Sequence, residues 1–371
     1  MSSLSGSNLS GPPPTTPERQ ADLGTGKADL VLEGGGVKGI GLVGAVNKLR
    51  STGYPHIQRV AGTSAGAIVA SLIAAGMPTQ RMDEVMRSLD YKKFEDAGLL
   101  PRLGLPGKAL EILLHGGSYK TDYMHHWIAE QLETCGIRTW RDLKYTDPGA
   151  DATLPEQERY KLVVIVTDIS RGRMLRLPWD YKHLCDLDPD DIPVADAVVA
   201  SASIPFFFRA QHLTCGRAQG KQKLTLTDGG SLSCYPIDIF DRKDGATSRW
   251  PTLGVKLSAR QAPASEWRPV NNPVQMFERL FSTMSSAHDT LYVDQPSVQA
   301  RTIFVDTTGI SATDFDLGPA TRDQLFTHGQ EATTKFLAGW SWENWQQTYE
   351  KQPEGSVPET SGSKANEYAR A

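Results

Sequence analysis

The sequence is short of several features that would assign it quickly. It has four cysteines in 371 residues, Cys135, Cys185, Cys215 and Cys234, widely spaced and with no C-x-x-C pair. A disulfide framework or a structural zinc site is not expected from that pattern, and a reducing, cytosolic setting suits it better, although four cysteines could also pair in an oxidising one. Charge of either sign is not in large excess: the formal net charge is −4, which gives no sign of nucleic-acid binding. Long apolar runs are also missing. The longest, "AIVASLIAAGM" at 67–77, is too short to span a bilayer. The first residues, "MSSLSGSNLSGPPPTTPERQ", have neither a basic n-region nor an apolar h-region and do not read as a secretory signal. The expectation is a cytoplasmic chain with at most peripheral membrane contact. No internal repeat is visible.

Composition and pattern then give the organisation. Residues 1–27 and 351–371 read as disordered tails, rich in Ser, Pro, Gly and Glu. Between them, 28–350 reads as a single domain, with a motif core over 28–260 and a C-terminal strand and helices over 261–350. Strand and helix signals alternate. "ADLVL" at 28–32 and "QRVAG" are short strands, each followed by a helix that stops at a glycine (39–53 and 65–76). "YKLVVIVTDIS" at 160–170 is apolar on both faces, as a central strand is, and "RMLRLPW" returns across "RG" as a hairpin. "VADAVVASAS" at 194–203 is a helix of small residues. "KLTLTDGG", "TLGVKLS" and "TIFVDT" are further strands, and a helix beginning near Thr321 closes the core. The fold class expected is α/β: a mainly parallel central sheet flanked by helices, three layers deep, with a nucleophile elbow.

"GTSAG" at 62–66 fits G-x-S-x-G between a strand and a helix. Gly62 and Gly66 leave room where strand and helix converge, and Ser64 is lifted clear of the sheet at a helix N-terminus, where developing negative charge is favoured. "GGGVKG" at 34–39 contains G-x-G-x-x-G in Gly34, Gly36 and Gly39. A dinucleotide fingerprint would need an acid at the end of the next strand, and that strand runs instead into the serine turn. No G-K-[ST] follows, so a P-loop is excluded. The other reading is an oxyanion hole built from backbone N–H groups of consecutive glycines.

A serine nucleophile needs a proton acceptor, usually histidine. The histidines are His56, His115, His125, His126, His183, His212, His288 and His328, and none sits in a strand-end loop that commends it. Asp228 does: it ends the strand "KLTLT" and precedes Gly229 and Gly230. Chain order also permits an α/β-hydrolase-type Ser-Asp-His triad, with His288 or His328 after Asp228.

The three motifs "GGGVKG", "GTSAG" and "DGG", in this order and spacing, resemble the patatin-like phospholipases, bacterial type. "ASASIPFFF" at 200–208 and "GISATDFDL" before the last helix add to a similarity that covers residues 28–340. The resemblance implies a Ser-Asp dyad, with Ser64 as nucleophile and Asp228 as proton acceptor. It implies an oxyanion hole from the amides around Gly35, Gly36 and Val37, and hydrolysis of fatty-acyl esters through an acyl-serine. Membrane phospholipids or other acyl-lipids are the implied substrates. Neither a metal nor a cofactor is implied. Two departures stand out: Lys38 where many relatives carry Arg, and Cys234-Tyr235-Pro236 where relatives often have Asn-Pro. A free Asp titrates near 3.9, a weak base for a serine, so Asp228 is expected to be partly buried and its pKa raised.

Residues 90–118 are a cap expected to meet lipid, with Leu99, Leu100, Leu103 and Leu105 among Arg102 and Lys108. "CDLDPDD" at 185–191 lacks the Gly and Glu of a calcium loop and reads as a solvated acidic turn. A lipid-binding protein without catalysis on the same fold is the reading from another class.

Overall fold

The computed structural model describes residues 26–89, 93, 96–97, 117–145, 154–216, 220–258, 270, 276, 280, 283, 293–312, 314 and 316–350. Both expected tails lie outside these residues, apart from Gly26 and Lys27, and so does most of the expected cap, including the leucines at 99–105.

The chain begins with β1 (Lys27–Leu32), whose side chains are buried on both faces beyond Lys27. A glycine turn leads through one 3-10 turn, Gly36–Lys38, into α1 (Gly39–Thr52). Then follow β2 (His56–Thr63), α2 (Ala65–Ala74) and α3 (Thr79–Ser88). The interruption between the last two falls at Gly76 and Pro78. Gly76 has a left-handed φ of +78°, and proline suits the start of α3 because its missing N–H would have no helical acceptor there. After β3 (Asp96–Ala97) and β4 (Gly117–Lys120) comes α4 (Asp122–Glu133). The buried strand β5 (Leu162–Asp168) turns back as β6 (Arg173–Leu177), the hairpin read from the sequence. Helices α5 (Trp179–Cys185) and α6 (Val194–Ala202) precede β7 (Phe206–Phe208), β8 (Gln211–Cys215), β9 (Gln222–Asp228) and β10 (Thr252–Lys256). The short α7 (Pro296–Gln299) and β11 (Thr302–Phe304) lead to α8 (Pro319–Gly339) and α9 (Trp342–Trp345).

Eight strands form one sheet in the order β11-β10-β1-β2-β5-β9-β8, with β6 also paired to β5. The run from β11 to β5 is parallel, whereas β6 and β9 are antiparallel to β5 and β8 is antiparallel to β9. This is the expected α/β architecture, a mostly parallel sheet flanked by helices. β3, β4 and β7 make a separate small sheet.

The central strand β5 decides where the site forms. β6 covers Val164–Asp168 along one edge. The other edge is shared: β2 takes Leu162–Ile165 and β9 takes Val166–Asp168. The ends of β2 and β9 therefore meet head to head, with Thr63 opposite Ile165 and Asp228 opposite Val166. Residue 64 and residue 228 are brought together by adjacent positions on one ruler.

One sequence expectation is corrected here. The cysteines do not all stay unpaired: Cys185, at the end of α5, is bonded to Cys215, at the end of β8, while Cys135 and Cys234 are free. Sequence spacing did not show this pair because the contact is made by the β8–β9 hairpin returning beside α5. No helix of the described residues is long and apolar enough to cross a membrane.

Candidate active site

Ser64 sits at the tip of the turn between β2 and α2 with φ +53° and ψ −124°, a left-handed conformation that is costly for a residue with a Cβ. The flanking glycines explain how the turn closes. A Cβ on Gly62 would stand 2.2 Å from the Gly66 carbonyl oxygen, and a Cβ on Gly66 would stand 2.4 Å from that of Leu32. Both obstacles are backbone, so neither moves cheaply. Ser64 caps α2 with its backbone, its carbonyl accepting from Ala67 and Ile68. Its side chain is left for other work, next to the positive end of the helix dipole.

The Ser64 hydroxyl donates to Asp228 Oδ2 at 2.7 Å. The other carboxylate oxygen, Oδ1, accepts from the Gly230 N–H at 2.7 Å, so the glycines after Asp228 fold the chain back onto its own side chain. Asp228 is 1% exposed. Burial pushes its carboxyl up to about 7, against the hydrogen bonds from Ser64 and Gly230, which favour the charged form. The sequence expected partial burial; the carboxyl is fully enclosed.

The glycine turn lies against the serine turn: a Cβ on Gly34 would come within 3.2 Å of Ser64 Cβ. The Gly34 N–H donates to the Cys234 carbonyl at 3.2 Å, tying this turn to the loop behind Asp228. Glu33, just before it, is held by the Lys256 ammonium and the Leu257 N–H. Gly36 has φ +56°, and a Cβ there would stand 1.9 Å from the Ala312 carbonyl oxygen. That carbonyl accepts the Val37 N–H at 3.0 Å. Of the three amides expected around the oxyanion hole, Val37 is thus occupied, by a residue of the "GISATDFDL" segment. The N–H groups of Gly35 and Gly36 have no acceptor among the described residues. Lys38 is half-buried and closes the 3-10 turn by donating its N–H to Gly35, and Gly39 opens α1.

Among the described residues no histidine bonds to Ser64 or Asp228. His328 Nδ1 lies 2.8 Å from the Asp306 carbonyl, and His125 pairs with Asp196 at 2.7 Å. His288 lies outside the described residues. The acidic turn at 185–191 is ion-paired rather than merely solvated: Asp190 meets Lys144 at 2.6 Å and Asp191 meets Arg141 at 2.8 Å. No group of three or more His, Cys, Asp or Glu side chains among the described residues could hold a metal ion.

One feature escaped the sequence reading. The Ser64 N–H donates to the hydroxyl of Ser201 at 2.9 Å, inside the "ASASIPFFF" segment. A lone serine in a Val/Ala helix carries no periodicity that would single it out. Phe206 of the same segment has φ +62° and is 52% exposed.

A strained serine at a strand-to-helix corner, a buried carboxylate on its hydroxyl and a glycine turn alongside come together at one edge of the sheet. The matching family model is that of the patatin-like phospholipases, over residues 30–241, and the chain belongs to that family, whose members are lipid ester hydrolases. It is 34% identical over 317 residues to the uncharacterized protein YqhO of Bacillus subtilis (strain 168), covering 85% of this chain and 99% of that one. The uncharacterized protein L620 of Acanthamoeba polyphaga mimivirus is 27% identical over 240 residues, 56% of this chain and 62% of its own. Among solved structures, VipD from Legionella pneumophila matches with a TM-score of 0.44 at 19% identity, covering 84% of this chain and 66% of VipD. The type III effector ExoU of Pseudomonas aeruginosa matches with a TM-score of 0.44 at 16% identity, covering 85% of this chain and 53% of ExoU.

Proposed function

We propose that the protein is a lipid acyl hydrolase of the phospholipase A or acylglycerol esterase type, working through a Ser64–Asp228 dyad and an acyl-serine intermediate. The observation that carries this reading is the 2.7 Å hydrogen bond from the Ser64 hydroxyl to a fully buried carboxylate. A carboxyl titrating near neutrality is matched to general-base work at neutral pH, where an ordinary aspartate would be too weak.

The geometry supports the following steps. Ser64 Oγ attacks the ester carbonyl as its proton passes to Asp228 Oδ2. The tetrahedral oxyanion is met by the N–H groups of Gly35 and Gly36; losing one such donor typically costs about 10²–10³ in rate. Asp228 then gives the proton to the departing alkoxide, which leaves as an alcohol or lysolipid. Water attacks the acyl-Ser64 ester as Asp228 takes a proton from it, and Asp228 returns that proton to Ser64 Oγ as the acyl–oxygen bond breaks and the fatty acid is released. The substrate is a membrane phospholipid or another acyl-lipid, reached by peripheral contact. Half-exposed Phe206 and the leucines of the 90–118 cap are the residues proposed to meet it.

Hydrolysis of mixed phospholipid vesicles, followed by mass spectrometry of released fatty acid, tests the reading. Wild type is expected to release fatty acid, and Ser64→Ala and Asp228→Asn to release none above background. Wild-type protein without turnover on phospholipid or acylglycerol would favour a lipid-binding role. A triad would show as complete loss in His288→Ala or His328→Ala, whereas the dyad leaves both active.

A further inference from the structure

Strand register alone does not bring Oγ of Ser64 onto Oδ2 of Asp228. It places Thr63 and Asp228 on neighbouring positions of β5. It leaves free the rotation of the Ser64 peptide at its left-handed corner. That peptide is held by Ser201. Its hydroxyl accepts the Ser64 N–H at 2.9 Å and donates to the Ile165 carbonyl at 2.6 Å. Ile165 is the β5 partner of Thr63, so the hydroxyl closes a short loop from the nucleophile back to the strand that sets its position. Two residues further on, the Ser203 carbonyl accepts both the Asp228 N–H at 2.9 Å and the Thr227 hydroxyl at 2.8 Å. The end of α6 grips the two halves of the dyad from one side.

The bonding of other buried serines shows that Ser201 is not simply a satisfied core hydroxyl. Ser71 and Ser203 are fully buried too, and their hydroxyls bond back into their own helical turns, to Ile68 and Val199. Packing alone would be met by alanine in this helix, whose sequence is VADAVVASA. Both bonds of the Ser201 hydroxyl instead leave α6, one to the nucleophile's amide and one to the central strand.

We infer that Ser201 is a positioning residue for the dyad: by bridging the Ser64 amide and the Ile165 carbonyl it fixes the serine corner so that Oγ stays within hydrogen-bond reach of Asp228. This rests on the reading of Ser64 and Asp228 as the reacting pair. It also assigns a role to the "ASAS" segment, which the chemistry above leaves unused.

The test is the rate at which a fluorophosphonate probe labels the protein between pH 5 and 9, compared for wild type, Ser201→Ala and Ser71→Ala. Ser71→Ala deletes an equally buried hydroxyl away from the dyad. In Ser201→Ala, labelling is expected to slow about 10- to 100-fold, as small misplacements of reacting groups do. Its acid limb is expected to move to higher pH, because Asp228 loses the Ser64 hydrogen bond that favours its charged form. Ser71→Ala is expected to keep the wild-type rate and limb, whatever it does to the melting temperature. A folded Ser201→Ala with wild-type rate and limb would overturn the inference, as would the same limb shift in Ser71→Ala. Should Ser201→Ala fail to fold, Ser201→Cys, similar in shape but a weak hydrogen-bonding partner, carries the same comparison: a raised limb supports the role and an unchanged one removes it. Wild-type protein that does not label at all strikes the dyad reading instead, so the two failures are distinguishable.

Discussion

Burying the Asp228 carboxyl costs the fold stability, and the proposed dyad would use the same raised pKa. The carboxyl holds its proton to about pH 7 in the folded chain and to about 3.9 when unfolded. Between those values the folded state binds the extra proton, so this group's contribution is fully present below about pH 4 and declines as pH rises toward 7. Asp228→Asn removes the penalty; it is expected to raise the melting temperature at pH 8 by a few degrees while abolishing hydrolysis. Thermal melts of the two proteins at pH 5 and pH 8 check this, and the gap should be larger at pH 8. The same protonation appears in kinetics: kcat/KM is expected to rise with pH through an apparent pKa near 7, and a profile flat down to pH 4 would contradict a buried base. At this scale Ser64 and Asp228 were legible because each ends a strand inside a glycine-bearing turn. The employment of the Val37 amide was not, because its acceptor, Ala312, belongs to a distant segment brought in only by the fold.

Elements carry the geometry between these residues. Sequence marked β5 as central because its run Leu162–Val166 is apolar on both faces, and it marked the β5–β6 hairpin through the Arg171-Gly172 turn. It did not show that β9 runs antiparallel and shares an edge of β5 with β2. That pairing is a property of the assembled sheet, since the strand "KLTLTD" reads alike in either direction. The close approach of β2 and α2 gives a sharp expectation. Gly62→Ala places a Cβ 2.2 Å from the Gly66 carbonyl, which only a backbone shift can relieve. It is expected to lower stability by about 1–3 kcal/mol, measurable by urea unfolding, and to reduce vesicle hydrolysis more than a surface Gly→Ala change such as Gly339→Ala, where a Cβ meets nothing within 4 Å.

For the whole molecule, the sequence led to no expectation of a disulfide framework, and the structure joins α5 to β8 by the Cys185–Cys215 bond. Thiol titration of the denatured, unreduced protein is expected to find Cys135 and Cys234 only, two thiols per chain, and four after reduction. Four before reduction would show that the crosslink does not form. The overall α/β layout was legible because strand and helix signals alternate along the chain, whereas the joining of α5 to β8 depends on tertiary return paths that no local pattern encodes. The most direct measurement of the central assignment is peptide mass mapping after fluorophosphonate treatment. The adduct is expected on Ser64 in wild type and is expected to be absent in Asp228→Asn at pH 7. An adduct on another residue, or undiminished labelling of Ser64 without Asp228, would contradict a Ser64–Asp228 dyad.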